Sequence, residues 1–314
     1  MSISGRFWVS PEDSEILRLE QIVRSGIEPR VPGIRFHPVS AFSLGPVLIV
    51  RVPRSWALPH GVLIKGGYRF YGRGERGNYP MQVPEIRAAF MASESIIDRI
   101  RRLRVDRLSA ILAGETPVRL IAGATVLLQV VPYSALNPTN LDRPDIEKFR
   151  GNVLPIGAGG SWRYNFDGIM ISVTERSGAC SGYLQVYRNG ILEAVNRTLI
   201  HVGESEDRPT WARDYIPTGR LEDDLVDAVG RYLKALASAG LVPPAFILLS
   251  MVGVRGLTLA VENGLSSTPI DSDPLLFPEV VVESLAEDVR TLLHPVFDAL
   301  WQAGGFPRCP RYPE

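Results

Sequence analysis

Six basic residues and two tyrosines crowd into one stretch of the chain: Arg51, Arg54, Lys65, Arg69, Arg73 and Arg76, with Tyr71 and Tyr79. Guanidinium and ammonium groups pair with phosphate oxygens, and a tyrosine ring offers a flat face on which an unpaired base can stack. Side chains of these kinds in one segment point to a sequence-indifferent, salt-sensitive contact with nucleic acid. Over residues 68–73 the two-residue period of a strand sends Arg69, Tyr71 and Arg73 to one face and Tyr68 and Phe70 to the other. Arg99 and Arg102 extend the candidate set onto a helix. The plainer alternative is that Arg69 and Arg73 pair with Glu75, Glu85 or acidic residues later in the chain.

Elsewhere the side chains capable of chemistry do not form sets. His37, His60, His201 and His294 are far apart and lack the spacing of metal ligands. Cys180, in SGACSG, has no neighbouring base, and no Gly-x-Ser-x-Gly elbow occurs. Cys180 and Cys309 make no framework of bridges, which agrees with a reducing compartment. Glu222, Asp223, Asp224 and Asp227 can in principle hold a divalent ion, but acids in the first turns of a helix are explained more simply by its dipole. The run Gly157-Ala158-Gly159-Gly160-Ser161 lacks the Lys-Ser/Thr ending and following helix of a phosphate loop. Asp167, in RYNFDG, reads as a turn residue or as a contact for the first domain. No catalytic residue, metal site or cofactor is expected.

The elements that must position the basic segment can be read around it. Residues 45–52 (GPVLIVRV) are apolar at both parities and β-branched, as in a strand buried on two sides. Residues 62–65 and 68–73 flank Gly66-Gly67, which can supply the positive φ angles of a tight hairpin. Pro84 opens a short helix with Ile86 and Phe90 on one side. Residues 95–113 form the longest helix of this half, with Ser95 and Asp98 spaced as a capping box and Gly114 at its end. At 100° per residue, Ile96, Ile97, Ile100, Leu103, Leu108 and Ile111 share one sector. Arg104 and Arg107 fall inside that sector and are expected to pair with carboxylates; Arg99 and Arg102 point away from it.

Toward the N-terminus, residues 12–25 make an amphipathic helix, and residues 34–37, between prolines, an irregular edge strand. Residues 115–120 read as a linker, giving a first domain over 1–114 and a second over 120–314. The second opens with the apolar strand 124–131. Strands follow at 163–173 and at 182–195, the latter folded at Asn189-Gly190. A helix over 221–239 precedes strands at 244–252 and 256–262, and residues 278–301 are helical with a kink at Pro295. The expected class is α+β, with two mixed sheet-and-helix domains.

Composition agrees with this: 314 residues allow two ordinary cores, and 45% hydrophobic with 22% charged residues suits a globular chain. No run of 18 apolar residues and no charged-then-apolar leader occurs, so a cytoplasmic location is expected. The net charge of zero hides an asymmetry. Residues 51–119 hold 13 Lys or Arg against 6 Asp or Glu, whereas residues 120–314 hold 16 against 23. A basic part suggests an anionic partner; two domains attracting one another would produce the same pattern.

The run RFYGRGERGNYPMQVPEIRAAF, preceded by VLIVRVPRSWALPH and followed by RIRRLRVDRL, resembles the Schlafen/Alba-like domain family of bacterial proteins. The segments RYNFDGIMISV, YLQVYRNGILEAV and PVFDALW resemble the companion domain that follows it in many members. The likeness spans about residues 16–301. It implies a DNA-binding or ATP-binding regulator, in transcription regulation or antiviral defence, although no residue here supports ATP binding. In nuclease members the proposed cleaving acids lie in a Glu-rich motif ending in Phe-Lys, followed by Ala-Asn-x-x-Gly-Gly. Neither motif occurs in this chain, so the resemblance is to the second half of the domain and carries over no catalytic residue.

The reading is therefore a nucleic-acid-binding or regulatory protein, of DNA or RNA, that uses the basic hairpin. One alternative is a metal-dependent nuclease with carboxylates supplied from a missing N-terminal portion. Another is that the second domain is a protein-interaction or ligand-sensing module. A missing first half would leave the strand at 45–52 with an uncovered neighbour, inviting a homodimer or a docked partner.

Overall fold

The computed structural model describes residues 3–8, 25–31, 34–39, 47–52, 58–74, 77–136, 144–200, 214–261 and 267–311, and these form an α+β fold. The chain divides into two compact units, residues 1–102 and 103–314. The division falls inside a helix. The helix expected over 12–25 lies, but for its last residue, outside the described residues.

In the first unit, β1 (Ile3–Trp8), β4 (Val47–Val52) and β3 (Arg35–Val39) form an antiparallel sheet in that order. A second sheet runs in the order β2 (Ile27–Glu28), β5 (Gly61–Ile64), β6 (Gly67–Gly74), β7 (Gly77–Pro80). β4 is central and paired on both sides, and among the described residues its neighbours β1 and β3 each pair with β4 alone and so stand at the sheet's edges. β4 is not buried on both faces. Leu48 is buried, but Ile49 is 41% exposed and Val52 is exposed too. Its β-branched residues enforce extension, which does not require a second covering layer.

The β5–β6 hairpin forms where expected, but its turn is Lys65-Gly66, with φ angles of 49° and 81°. Gly67 instead opens β6, opposite Ile64. Two successive positive φ angles match the right-handed strand twist, and here a lysine takes the first of them.

The two helices expected beyond Pro84 are a single helix, α1 (Val83–Leu112), of 30 residues. No Pro or Gly occurs between Pro84 and Gly114, so nothing interrupts the hydrogen-bond ladder, and Ser95 lies within it rather than at a cap. Its start is held by the Gln82 N–H, which donates to the Glu85 carboxylate at 2.8 Å.

The second unit is organised by an eight-stranded sheet. Its strands are β8 (Thr125–Pro132), β9 (Ser161–Asn165), β10 (Gly168–Thr174), β11 (Cys180–Tyr187), β12 (Leu192–Asn196), β14 (Ala245–Val252), β16 (Leu275–Leu276) and β17 (Val280–Val282). The order is β16-β14-β8-β12-β11-β10-β9, with β17 also on β14. All eight residues of β8 are buried. The β11–β12 hairpin turns at Asn189-Gly190, with Gly190 at φ 87°. The β9–β10 hairpin turns at Phe166-Asp167, so Asp167 is a turn residue.

On one face of this sheet Val126, Leu128, Val130, Ala194 and Ile247 pack with α2 (Thr218–Ser238) and α3 (Val289–Ala303). On the opposite face Leu127, Tyr183 and Val195 meet Leu108 and Ile111 of α1. Residues 115–120 are not a free linker. They run beside β11, where the Cys180 N–H donates to the Arg119 carbonyl and the Ile121 N–H to the Cys180 carbonyl.

Two further expectations change. The strand at 256–262 shrinks to β15 (Thr258–Leu259), paired in parallel with β13 (Tyr215–Ile216). Residues 278–301 are not one helix: β17 comes first, and α3 begins after Asp288, whose carboxylate accepts from the Thr291 N–H. Pro295 lies inside α3. Among the described residues no helix is long and apolar enough to cross a membrane.

Candidate nucleic-acid interface

In β6 the strand period places Arg69, Tyr71 and Arg73 on one face, and all three are exposed. Among the described residues neither arginine has a hydrogen-bond or ion-pair partner. Lys65 is exposed at the hairpin turn. With about 3.3 Å per residue, Arg69 and Arg73 stand roughly 13 Å apart with Tyr71 midway. The opposite face packs in part: Phe70 meets Phe90 of α1 edge-on, with centroids 6.2 Å apart.

Tyr79 does not join Tyr71. It faces Gly72 across the β6–β7 ladder, on the Phe70 side, and its ring fills the space a side chain there would need. A Cβ at Gly72 would lie 2.7 Å from Tyr79 Cζ. The Tyr79 hydroxyl donates to Glu85 Oε1 at 2.9 Å, and this bond with the nearby charge raises its pKa. Tyr79 therefore lies on the face away from Tyr71, and Glu85 is occupied by it rather than by Arg69 or Arg73.

The other candidates scatter. Arg51 sits in β4, in the other sheet, opposite Ser4 and Arg35 in register. Arg54 and Arg76 lie outside the described residues, as does Glu75. Arg99 and Arg102 are exposed on α1. The structure therefore gathers Lys65, Arg69, Tyr71 and Arg73 on one hairpin, while among the other described candidates Arg51 lies in a different sheet and Arg99 and Arg102 on α1.

Arg104 and Arg107 behave as their helical positions require. Arg104 is buried, donating Nη1 to the Phe277 carbonyl at 2.8 Å and lying 3.4 Å from Glu279. Arg107 forks onto Glu193, with Nε to Oε2 and Nη2 to Oε1 both at 2.8 Å. Glu193 is fully buried and also receives Tyr183 Oη at 2.9 Å and Gln129 Nε2 at 3.2 Å. Hydrogen bonding to Glu193 raises the Arg107 pKa, and burial raises those of Tyr183 and Tyr187. A buried carboxylate this well satisfied holds the helix to the sheet.

The acids of α2 are not in its first turn, because the helix begins three residues earlier than its apolar pattern suggests. Glu222 is fully buried, accepting Trp301 Nε1 at 2.8 Å and Arg311 Nη1 at 3.2 Å, and burial raises its pKa. Asp223 also pairs with Arg311, Asp224 with Arg220, and Asp227 with Arg231. Among the described residues no three metal-ligating side chains gather. Two glycines of the run before β9 serve close packing: a Cβ at Gly157 would lie 2.6 Å from Asp224 Oδ2, and one at Gly160 2.6 Å from the Ser172 carbonyl oxygen. Cys180 and Cys309 are free, buried thiols.

Sequence reasoning passed over the aromatic edge of the large sheet. In β9, Trp162 and Tyr164 are exposed, Phe166 at the turn is 92% exposed, and the Arg150 guanidinium lies 3.8 Å from the Trp162 ring centroid. The alternation in SWRYNF is the signal that could have found them. Comparison with protein-family models, curated proteins and solved structures finds no match to this chain.

Proposed function

We propose that the protein binds nucleic acid through the exposed face of β6, the role that its resemblance to Schlafen/Alba-like domains implies. Lys65, Arg69 and Arg73 contact phosphates, and Tyr71 stacks on an unpaired base between them. The observation that carries this reading is the alignment of Arg69, Tyr71 and Arg73 on one exposed strand face, with neither arginine answered by an acid among the described residues. Contacts of this kind read charge and stacking and do not read sequence. The binding is therefore expected to tolerate any base order and to prefer single strands, whose bases are free to stack.

Fluorescence anisotropy with single-stranded RNA, single-stranded DNA and duplex DNA over a salt series tests it. The double variant R69E/R73E is expected to weaken binding to every probe alike. Neutralising the two arginines instead (R69Q/R73Q) should make the slope of log K against log salt on single strands shallower by about 0.7 per arginine. Unchanged affinity in both variants would remove the hairpin from the reading. Cleavage of the probes on adding manganese would favour the nuclease instead.

A further inference from the structure

The second unit contains a cavity of about 470 Å³ beside the start of α2 and the chain that follows α3. This is within the size range of small-molecule pockets. Trp301, Phe306, Val261 and Pro310 supply an apolar lining, and Arg308 and Arg311 supply charge. The aromatic corner is rigid. Trp301 is buried and its ring nitrogen is fixed on Glu222, while Phe306 meets it edge-on with centroids 5.2 Å apart.

The two arginines differ. Arg311 donates to the Gly219 carbonyl at 2.8 Å and pairs with Glu222 and Asp223, so its charge is met by the protein. Arg308 is exposed and has no hydrogen-bond or ion-pair partner among the described residues. Its backbone is nonetheless held, because the next residue, Cys309, donates its N–H to Asp298 Oδ1 at 2.7 Å. An apolar, aromatic-walled cavity with an unmet guanidinium at its lining suits a ligand with an aromatic body and a single anionic group.

We infer that this cavity binds a small aromatic carboxylate, with the ring against Trp301 and Phe306 and the carboxylate on Arg308. The site is built within the second unit and does not rest on nucleic-acid binding.

The test is equilibrium dialysis of the full chain with 2-naphthoate and with neutral 2-naphthamide, which share a body and differ in charge. Saturable binding of 2-naphthoate, tighter than that of the amide, is expected. Arg308→Gln should weaken the naphthoate about tenfold, the loss of one charged hydrogen bond, and leave the amide unchanged. Ala260→Phe, which puts a ring into the cavity from its lining, should abolish binding of both compounds. Because Arg308 is exposed, its variant remains informative even if Ala260→Phe fails to fold. Equal affinity for acid and amide, no saturable binding by the intact protein, or unchanged naphthoate affinity in Arg308→Gln would each overturn the assignment.

Discussion

At the scale of single residues, two buried glutamates are answered by different partners. The Glu193 carboxyl accepts from a forked arginine and from hydroxyl and amide donors. Arg107→Met strands that carboxylate and is expected to cost about 3–5 kcal/mol, whereas Arg107→Met with Glu193→Met should recover most of the loss. Urea denaturation of the three proteins checks both statements. Glu222 has its pKa raised above the ordinary 4.5 by burial, against the pull of Trp301 and Arg311. A raised folded-state pKa means that its protonated form favours folding, so its contribution is full below pH 4.5 and is lost as pH rises through the raised value. Glu222→Gln should therefore flatten the fall in stability above pH 4.5 that is expected of the native protein, as read from urea midpoints at stepped pH. A variant with the native slope would mean that Glu222 does not titrate there.

At the scale of elements, the hairpin and α1 depend on few positions. Gly66, at φ 81°, carries the second residue of the β5–β6 turn, and Gly66→Ala should cost about 1 kcal/mol and loosen the face that bears Arg69 and Arg73. Thermal melts will show it. Lys65→Asn keeps a residue that tolerates the left-handed region and removes one charge, so it should preserve the melt while slightly flattening the salt dependence of binding. In α1 the ladder passes unbroken from the first unit into the second. Arg101→Pro, at an exposed position, should cost about 3 kcal/mol or more through the helix alone. Circular dichroism and urea denaturation measure that loss.

At the scale of the molecule, the charge asymmetry divides into two kinds of basic residue. Arg104 and Arg107 answer Glu279 and Glu193 within the second unit, so part of the basic excess is internal to the fold. Lys65, Arg69 and Arg73 are exposed, and they carry the proposed contact with nucleic acid. The core of the second unit, from β8 to α3, is continuous and its members lie within residues 103–314. A fragment of those residues is expected to unfold cooperatively in urea and to lack the salt-sensitive binding of the full chain. A fragment that still bound nucleic acid would move the interface to the second unit, where Trp162, Tyr164 and Arg150 are the first residues to test.

Periodicity determined that Arg69, Tyr71 and Arg73 share a strand face and that Arg104 and Arg107 turn inward, and turn chemistry that Asn189-Gly190 folds a hairpin. Each follows from local backbone geometry acting on neighbouring residues. Local signals failed where a long-range partner or a continuous ladder decided the matter. The capping spacing at Ser95 was overridden because the helix before it had no reason to stop. The apolar run of β4 did not reveal that only one of its faces would be covered. The acids of α2 looked like dipole partners until Trp301 and Arg311, some 80 to 90 positions away, were folded onto Glu222. The cavity beside them exists only in three dimensions, since its walls come from α2, the residues after β15 and the chain beyond α3.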